Sequence, residues 1–381
     1  MTQSSGRSIL QISHDYLGPF VSICRQYNLA LAENRVDTLY LRGEPSVEVS
    51  RETDGNEVIY MEQAQGTLRG FKIMALIRLY RLIRFRGVSM VIAHRYKPLY
   101  LAGMMSYLFK NLQVVGVIHE HGVFKRLHRR LFLGFWRKNI KLLAVSESVA
   151  KDIERDCPFL GRGDRLAVQH HAIDIPRYTK DLLDKNIARA NLGLKTSAFV
   201  MGTMGRLVKK KNQQELITAV ALIKEQLAAD WQLVIIGDGP ELATLQQLVR
   251  THGLDNNVIF SGYRNNAWQL LPALDLFVLT SSKAEAFGMV LLEAMLARTL
   301  LLVCDAPGPS SVVGDTAINY RTGDFQDLAG KLLFMQALPP SERERLTDSA
   351  TRRLQEQFSI PAFQSKLLAV PFISRVLNKD T

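Results

Sequence analysis

The chain has 381 residues, of which 47% are apolar and 22% are charged. This composition is typical of a globular protein long enough for two domains, and it excludes collagen-like, disulfide-framework and wholly disordered proteins. No apolar stretch is long enough for a membrane-spanning helix, and the N-terminus has no secretory-signal pattern. The three cysteines, Cys24, Cys157 and Cys304, lie far apart. They match no metal-site or disulfide spacing, so we expect a reducing, cytoplasmic location.

The net charge of +12 is concentrated in the N-terminal half of the chain. Residues 1–185 hold 28 Lys and Arg against 18 Asp and Glu, and the stretches 68–87 and 124–141 mix basic with apolar residues. A solvated face, a nucleic-acid interface or a surface for anionic lipid would each account for this pattern. We favour the solvated face or the lipid surface over nucleic acid. The aromatic residues that we expect to enter the lipid headgroup region are Phe132, Phe135 and Trp136.

Short β-rich runs alternate along the chain with longer segments of helical periodicity, such as 212–229 and 240–253. The predicted strands are 8–13, 89–94, 113–119, 142–145, 166–170, 198–205, 232–237, 258–262, 276–280 and 300–304. Strands that alternate with helices predict a parallel, doubly wound sheet. About a dozen strands are too many for one such sheet in a chain of this length, so the pattern predicts two α/β domains.

A polar segment without a buried strand, near 178–195, marks the predicted domain boundary. We therefore expect one Rossmann-like domain over 1–180 and a second over 190–358. The last segment, 359–381, has a helical pattern, and we expect it to pack back on the first domain. In open parallel sheets, ligands bind beyond the carboxyl ends of the strands, so motifs at those ends are the candidates for the site.

The first such motif is GTMGRLVKKKNQQE, at 202–215. Gly205 follows a strand, and a helix is predicted to begin near Asn212. A glycine and a helix N-terminus favour a bound anion, and Arg206 and Lys211 would clamp its phosphate oxygens. The alternative is a structural turn with a solvated lysine run. The motif is not a P-loop, and no GxGxxG pattern supports dinucleotide binding.

The second motif, SSKAEAFGMVLLEAMLA, follows the strand 276–280 and leads into a helix. Glu285 lies in the turn, Phe287 and Gly288 form the helix entry, and Glu293 lies among apolar helix residues. A carboxylate in such surroundings needs a charged partner or a hydrogen-bonded ligand. A core salt bridge or an edge position on the helix is the structural alternative for Glu293.

Two histidines at a strand end form the third candidate. His119 ends the predicted strand, and His121 follows two residues later. Such histidines act as general bases or bind substrate hydroxyls, although a single one is more often structural. With Glu120 they make a poor metal site, because no further ligands cluster nearby in sequence. The chain also has no Asp-x-Asp motif, so we expect a site without metal that relies on Arg and Lys.

Together these segments resemble glycosyltransferase family 4, most strongly over 198–313. GRLVKKKN, at 205–212, resembles the family's GRL-x-x-x-K segment, and Glu285 to Glu293 fits its E-x7-E signature. In the N-terminal half, VVGVIH, LLAVSESVAKDI and VQHHAID resemble the family more loosely. The resemblance implies the GT-B fold, in which two doubly wound Rossmann-like parallel-sheet domains face each other across a cleft.

The resemblance also implies a role for each matching residue. Arg206 and Lys211 would neutralise the leaving diphosphate, Glu285 would contact the donor sugar, and Glu293 would bind the ribose hydroxyls. One of the two histidines, with His119 preferred, would lie beside the sugar and the acceptor. The expected catalytic residues are His119, Glu285, Arg206 and Lys211. The expected donor-binding residues are Gly18, Gly205, Arg206, Lys211, Glu285, Phe287, Gly288, Met289, Val290 and Glu293. The expected acceptor-binding residues are His14, Arg95, Lys97 and His121. Arg95 and Lys97 follow a predicted strand and would reach an acceptor phosphate, and a plain helix start near Pro98 is the structural alternative.

Three positions depart from the family pattern. Gly18 is the best match for a pair of glycines that the family often has in its first loop. Ser311 stands where the family usually has Glu, and His171-Ala172 stands where it has Asn-Gly. None of these positions belongs to the predicted diphosphate clamp.

The function implied by the resemblance is a retaining hexosyltransferase without metal or cofactor. The donor would be a nucleotide-diphosphate sugar of the UDP or GDP type, and the acceptor a hydroxyl of a glycan or lipid-linked molecule, as in the lipopolysaccharide core. The basic N-terminal half suits a phosphorylated acceptor on the cytoplasmic face of the inner membrane, with no nucleic-acid partner. The alternatives are a nucleotide-sugar epimerase or sugar phosphorylase of the same fold, or a non-catalytic nucleic-acid-binding protein.

Overall fold

The computed structural model describes residues 7–62, 73–136, 139–161 and 164–377. The chain divides into two compact units, one formed by Met1–Ala172 with Ile360–Thr381 and the other by Ile173–Ser359. The second unit therefore begins before the predicted boundary at 180–190. The reason is that Tyr178, from the helix that follows Ile173, packs its ring 4.3 Å from that of Trp268.

Thirteen strands are assigned within the described residues. The strands of the first unit are β1 (Ser8–Ser13), β2 (Arg35–Tyr40), β3 (Glu57–Tyr60), β4 (Met90–His94), β5 (Gln113–Ile118), β6 (Ile140–Ala144) and β7 (Leu166–Val168). Those of the second unit are β8 (Phe199–Met204), β9 (Trp231–Ile236), β10 (Val258–Gly262), β11 (Leu276–Leu279), β12 (Leu300–Cys304) and β13 (Ile318–Tyr320).

Helices occupy most of the segments between these strands. They are α1 (Phe20–Ala30), α2 (Val47–Thr53), α3 (Ile73–Arg86), α4 (Tyr96–Leu108), α5 (Leu127–Phe135), α6 (Glu147–Asp156), α7 (Ile175–Asp181), α8 (Lys185–Leu192), α9 (Gln213–Ile223), α10 (Leu242–Thr251), α11 (Met289–Leu296), α12 (Pro307–Val313), α13 (Phe325–Ala337), α14 (Pro340–Phe358), α15 (Ile360–Leu368) and α16 (Pro371–Leu377). Two 3₁₀ segments are Lys209–Lys211 and Ala267–Ala273.

Each unit contains one parallel sheet. The first has the strand order β3-β2-β1-β4-β5-β6-β7 and the second the order β10-β9-β8-β11-β12-β13. In both sheets the order reverses beside the first strand of the unit, which is the pattern of a doubly wound sheet. The carboxyl ends of β8 and β11 are neighbours in the second sheet, so the loops that follow them meet at one edge.

All ten predicted strands are present, and three further strands, β2, β3 and β13, were not predicted. Strand β2 contains Asp37, which is 1% exposed and breaks the apolar pattern of its segment. Arg86 of α3 lies 2.5 Å from this carboxylate, and Arg35 of the same strand lies 3.3 Å from it. Arg86 is 49 residues away in sequence, so the segment by itself does not read as a buried strand. Strands β3 and β13 are short, at four and three residues.

The C-terminal segment packs on the first unit through α15. The rings of Phe363 and Tyr27 lie 5.0 Å apart, and Gln364 Nε2 donates to the Ala30 carbonyl at 3.0 Å. Pro361 stands in the first turn of α15, where its missing N–H has no helical partner to lose. The predicted helical segment is therefore interrupted just before Pro371, between α15 and α16, and Pro361 does not interrupt it.

The basic segment at 124–141 forms a helix over only part of its length. Helix α5 ends at Phe135, and Ile140 belongs to strand β6. Arg137, like residues 68–72 of the other basic stretch, lies outside the described residues. Phe132 is 7% exposed, so the expectation that it enters lipid headgroups is wrong. Its ring lies 4.9 Å from that of Tyr100 on α4. Among the described residues, no helix is both long and apolar enough to cross a bilayer.

Candidate functional site

The loops that follow β8 and β9 cross at a point where only glycine fits. Gly237 has a φ of 141°, and a Cβ at this position would lie 2.0 Å from the Gly205 carbonyl oxygen. The N–H of Gly205 donates to the Ile236 carbonyl at 2.9 Å, and the N–H of Leu207 donates to the Asp238 carbonyl at 2.9 Å. The Gly205 loop is therefore held against its neighbour at the carboxyl edge of the second sheet.

Lys211 and Glu285 join the loops that follow β8 and β11. Lys211 Nζ lies 2.7 Å from Glu285 Oε2, and Lys210 Nζ lies 4.0 Å from Oε1. The backbone supports this ion pair, because Thr280 Oγ1 donates to the Lys211 carbonyl and the N–H of Ser282 donates to the Lys210 carbonyl. Burial alone would raise the pKa of Glu285, but the two lysines outweigh burial and hold the pKa below its ordinary value. The carboxylate is therefore ionised beside two cations.

Glu293 lies on the second turn of α11, and its carboxyl group is a weak acid. Burial raises its pKa to about 8, against a smaller opposing effect of Lys211. Within the described part of the chain, the carboxyl group of Glu293 makes no hydrogen bond or ion pair, while its backbone carbonyl accepts from the N–H of Ala297. A carboxyl group in these surroundings gains stability from any hydroxyl or N–H that a ligand presents to it.

The start of α11 lies between the two glutamates. Gly288, with a φ of 94°, is the N-cap, and the first N–H groups of a helix have no carbonyl partner within it. Phe287 is buried, whereas Met289 and Val290 are partly exposed. A Cβ on Gly308, in the first turn of α12, would lie 2.3 Å from the Glu285 carbonyl oxygen. Gly308 thus lets the start of α12 pack against the glutamate turn, a role that sequence analysis did not assign.

The other two predicted donor residues stand apart from this cluster. Arg206 follows Gly205 directly, but its side chain is exposed and makes no hydrogen bond or ion pair within the described residues. Gly18 belongs to the first unit, in the exposed loop between β1 and α1, with a φ of 63°. For both residues, donor binding stays a prediction.

The first unit contains a cleft of about 200 Å³ at the carboxyl ends of β4 and β5. Three of the four predicted acceptor residues line it, together with the predicted catalytic histidine. The lining residues are His14, Arg95, Tyr96, Lys97, Ile118, His119, Glu120, Val123 and Arg129. Three of these side chains are guanidinium or ammonium groups and one is a carboxylate, so the cleft is positively charged.

Three buried nitrogen atoms in this cleft have no hydrogen-bond partner among the described residues. They are His14 Nδ1, Arg95 Nε and Arg129 Nε. The guanidinium groups are held by aromatic rings, with Arg95 3.9 Å from the centre of Phe20 and Arg129 4.4 Å from that of Tyr96. Burial, with Lys97 nearby, lowers the pKa of His14 to about 4. Fixed cations with unfilled donors suit an anionic, oxygen-rich ligand.

Arg129 is a cleft residue that sequence analysis missed. It lies in the basic stretch 124–141, where every Lys and Arg has the same sequence signal. Its guanidinium donates to the Val123 carbonyl at 3.0 Å, which turns it inward, while Lys125 and Arg126 are exposed. The feature that separates Arg129 from the other basic residues of this stretch is the turn after Gly122, whose φ is 68°.

His119 and His121 have different surroundings. His119 lines the cleft, and its ring nitrogens lie 3.3 Å from those of His94 and His171. His121 is not among the lining residues. Its Nδ1 lies 3.0 Å from Asp152 Oδ2, which ties the loop after β5 to α6. The structure thus separates two histidines that the sequence left as alternatives, and acceptor binding by His121 stays a prediction.

No group of three or more His, Cys, Asp or Glu side chains is placed to hold a metal ion in the part of the chain that the structure describes. Both the glutamate turn of the second unit and the cleft of the first unit are nevertheless charged. The second unit places lysines beside the glutamate turn, and the first unit places arginines and a lysine around the cleft. Both arrangements suit phosphate-bearing ligands.

Residues 184–353 match the family described as glycosyl transferases group 1. This match lies within the second unit. A lipopolysaccharide core biosynthesis glycosyltransferase, LpsD of Rhizobium meliloti strain 1021, is 34% identical over 196 residues, which cover 51% of this chain and 55% of that protein. The chain spans about half the length of the known relatives that it matches.

Solved structures match this chain over nearly its full length. A glycosyltransferase from Rickettsia africae ESF-5 has a TM-score of 0.81 at 15% identity, over 99% of this chain and 100% of that one. Anabaena Alr3699/HepE, solved in complex with UDP-glucose, has a TM-score of 0.78 at 20% identity, over 98% and 99%. At these identities the similarity shows the fold, and the prediction of a GT-B fold with two doubly wound parallel sheets is confirmed.

Proposed function

We propose that this protein transfers a hexosyl unit, with retention and without a metal ion, from a nucleotide-diphosphate sugar to a hydroxyl of a glycan or lipid-linked acceptor. The observation that carries the proposal is the cluster of Lys211, Glu285 and Glu293 around the start of α11. These residues belong to the segment that matches group 1 glycosyl transferases. The similarity to LpsD favours an acceptor of the lipopolysaccharide-core type.

Each member of the cluster has a distinct task in this reaction. As the glycosidic bond breaks, negative charge develops on the β-phosphate oxygens, and the Lys211 ammonium and the N-terminus of α11 stabilise it. Arg206, exposed on the same loop as Lys211, contributes a second cation. The Glu285 carboxylate, ionised and held by Lys211, contacts the sugar. Glu293 binds the ribose hydroxyls, which provide the hydrogen bonds that its carboxyl group otherwise lacks.

A thermal-shift screen of UDP-, GDP-, ADP- and TDP-sugars tests the donor site. A ligand that binds only the folded protein raises its stability by roughly 2.7 kcal/mol at one hundred times the dissociation constant. We expect one nucleotide series to stabilise the wild type, and to stabilise Glu293→Ala much less. Glu344→Ala, on the exposed face of α14, is the control and should respond as the wild type does. If no nucleotide sugar shifts the wild type, the donor site is wrongly assigned.

The cleft of the first unit supports a phosphorylated acceptor. Arg95 and Lys97 follow β4, Arg129 lies on α5, and their positive groups line one cavity. A phosphate accepts two hydrogen bonds from one guanidinium, and a lysine adds a further charge. Removing the charges with Arg95→Met and Lys97→Met should raise the KM for a phosphorylated acceptor and leave the dissociation constant of the nucleotide sugar unchanged. An unchanged KM would contradict this assignment.

We further propose that the first unit binds the anionic cytoplasmic face of the inner membrane. Helix α5 exposes Leu127, Leu131 and Phe135 to 60%, 63% and 73%. These residues are four positions apart and therefore share one face of the helix. Helix α3 exposes Ile73 and Met74 beside several arginines, and both helices pack against α4. Apolar side chains among basic ones are the features that bind anionic lipid surfaces.

Co-sedimentation with vesicles tests the membrane surface. The wild type should bind phosphatidylglycerol vesicles and leave phosphatidylcholine vesicles unbound. The double variant Leu131→Ser/Phe135→Ser should lose most of this binding. Leu222→Ser is the matched control, because Leu222 is 52% exposed on a helix of the second unit. Equal binding by the double variant and the control would contradict the proposal.

A further inference from the structure

A chain of three histidines runs through the first unit. His94 ends strand β4, His119 follows strand β5, and His171 follows strand β7. His94 Nδ1 lies 3.3 Å from His119 Nε2, and His119 Nδ1 lies 3.3 Å from His171 Nε2. The planes of the His119 and His171 rings are nearly parallel, at 7° to each other, and the ring centres lie 5.2 Å apart. Every link in the chain is therefore a nitrogen-to-nitrogen hydrogen bond.

Gln11 of strand β1 determines the direction of these hydrogen bonds. Its Nε2 lies 3.1 Å from the Cys24 carbonyl and 2.8 Å from Asn28 Oδ1. A backbone carbonyl only accepts, so the amide nitrogen of Gln11 must face Cys24 and its oxygen must face the other way. That oxygen, Oε1, lies 2.7 Å from His94 Nε2. His94 consequently donates its Nε2–H to Gln11.

The positions of the remaining imidazole protons follow from the charge state of the three rings. Burial lowers the pKa of His94 and of His171 to about 3, and it lowers that of His119 as well. A neutral imidazole carries one N–H. Since the proton of His94 is on Nε2, its Nδ1 accepts from His119 Nε2–H. The Nδ1 of His119 in turn accepts from His171 Nε2–H, so the three rings share one tautomer.

We propose that His94, oriented by Gln11, is a positioning residue that holds His119 as the neutral Nε2–H tautomer with both ring nitrogens engaged. His119 then presents a fixed, uncharged ring to the cleft. This ring acts neither as a base nor as a cation. The positive charge of the cleft comes from Arg95, Lys97 and Arg129. Where this affects turnover, the proposal rests on the proposed transferase function. A tautomer held by a neighbouring group is a recurrent means of orienting a histidine.

The isosteres of histidine provide a matched pair of variants. Asparagine places its amide at the position of Nδ1, so His94→Asn keeps an acceptor for His119. Glutamine places its amide at the position of Nε2, so His94→Gln keeps the contact with Gln11 and loses the acceptor. Both replace a buried ring by an amide of comparable polarity, and a thermal melt of each variant verifies that it is folded.

Nitrogen-15 NMR of the histidine-labelled full chain reads the tautomers directly, without any ligand. We expect Nε2–H signals for all three rings in the wild type and for His119 in His94→Asn. We expect a mixture of tautomers for His119 in His94→Gln. A wild-type His119 that is charged at neutral pH or carries its proton on Nδ1 would overturn the proposal. So would a His94→Gln spectrum in which His119 is unchanged.

Turnover of the nucleotide sugar identified by the thermal-shift screen separates this proposal from the proposed function. We expect His94→Gln to lower kcat by about tenfold with an unchanged KM for the nucleotide sugar, and His94→Asn to restore most of the loss. Equal kcat values for the two folded variants would refute a positioning role. A wild type without turnover would count against the proposed function, and the NMR result would still decide the tautomer of His119.

Discussion

The carboxyl group of Glu293 makes the stability of the second unit depend on pH in a calculable way. Its pKa is about 8 in the folded protein, against an ordinary value of 4.5. The folded state therefore holds the proton more tightly than the unfolded state does. Stability is highest at low pH and is lost as the pH rises through the interval between these values. Glu293→Gln, which keeps the shape of the protonated acid, should be spared this loss.

The size of the effect follows from the shift. Each pKa unit corresponds to about 1.4 kcal/mol, so the stability of the wild type should fall relative to Glu293→Gln by about 3 kcal/mol from pH 5 to pH 8. For a unit of this size that is a difference of about 6 to 12 °C in thermal midpoint. Because Glu293 is partly exposed, the lower end of the range is expected.

Thermal melts of both proteins across this pH range, without ligand, provide the measurement. Other titrating groups act equally on the two proteins, so the difference between the two curves isolates Glu293. Glu344→Gln is the control, and its curve should run parallel to that of the wild type because this side chain lies in water. If the Glu293→Gln curve is also parallel to the wild type, Glu293 is not a weak acid in the folded protein, and the argument for its unfilled hydrogen bonds fails.

Two further predictions concern the loops of the proposed donor site. Lys211→Met should lower the free energy of unfolding in urea by about 2 to 3 kcal/mol, because it removes the nearest cation from the buried Glu285 carboxylate. Lys209→Met, at an exposed position, should change the free energy of unfolding little. Adding Glu285→Gln to Lys211→Met should recover most of the loss. Equal free energies for the two single lysine variants would contradict the pairing. Gly237→Ala should lower the thermal midpoint well below that of Gly262→Ala. Both glycines have positive φ, but a Cβ at position 237 would meet a carbonyl oxygen at 2.0 Å, whereas one at position 262 would meet nothing within 4 Å. Similar thermal midpoints for the two variants would therefore refute the steric argument.

The cluster of Lys211, Glu285 and Glu293 could be anticipated from sequence because its parts lie on two strand–loop–helix units, which begin at β8 and β11. Gly205, Lys211, Glu285 and Glu293 each follow a strand whose apolar run is evident, and parallel strands bring their carboxyl ends to one edge. The pairing of Lys211 with Glu285 joins two such ends. Alternating strands and helices also determined the fold class, since the apolar periodicity of each segment is local and does not depend on its partners.

The arrangement of side chains in the first unit depends on contacts between residues that are distant in sequence, and no local pattern predicts such contacts. Asp37 is buried with Arg86 and Arg35 as partners, and Phe132 turns inward because α4 offers Tyr100 as a partner. His119 and His121 are nearly equivalent in sequence, yet one contacts two other histidines and the other contacts Asp152. A tautomer, an inward rotamer or a compensated charge depends on groups tens of residues away. The sequence by itself therefore determined the architecture and the loops that carry Lys211 and Glu285, and the tertiary structure decided which polar side chains are engaged and which line the cleft.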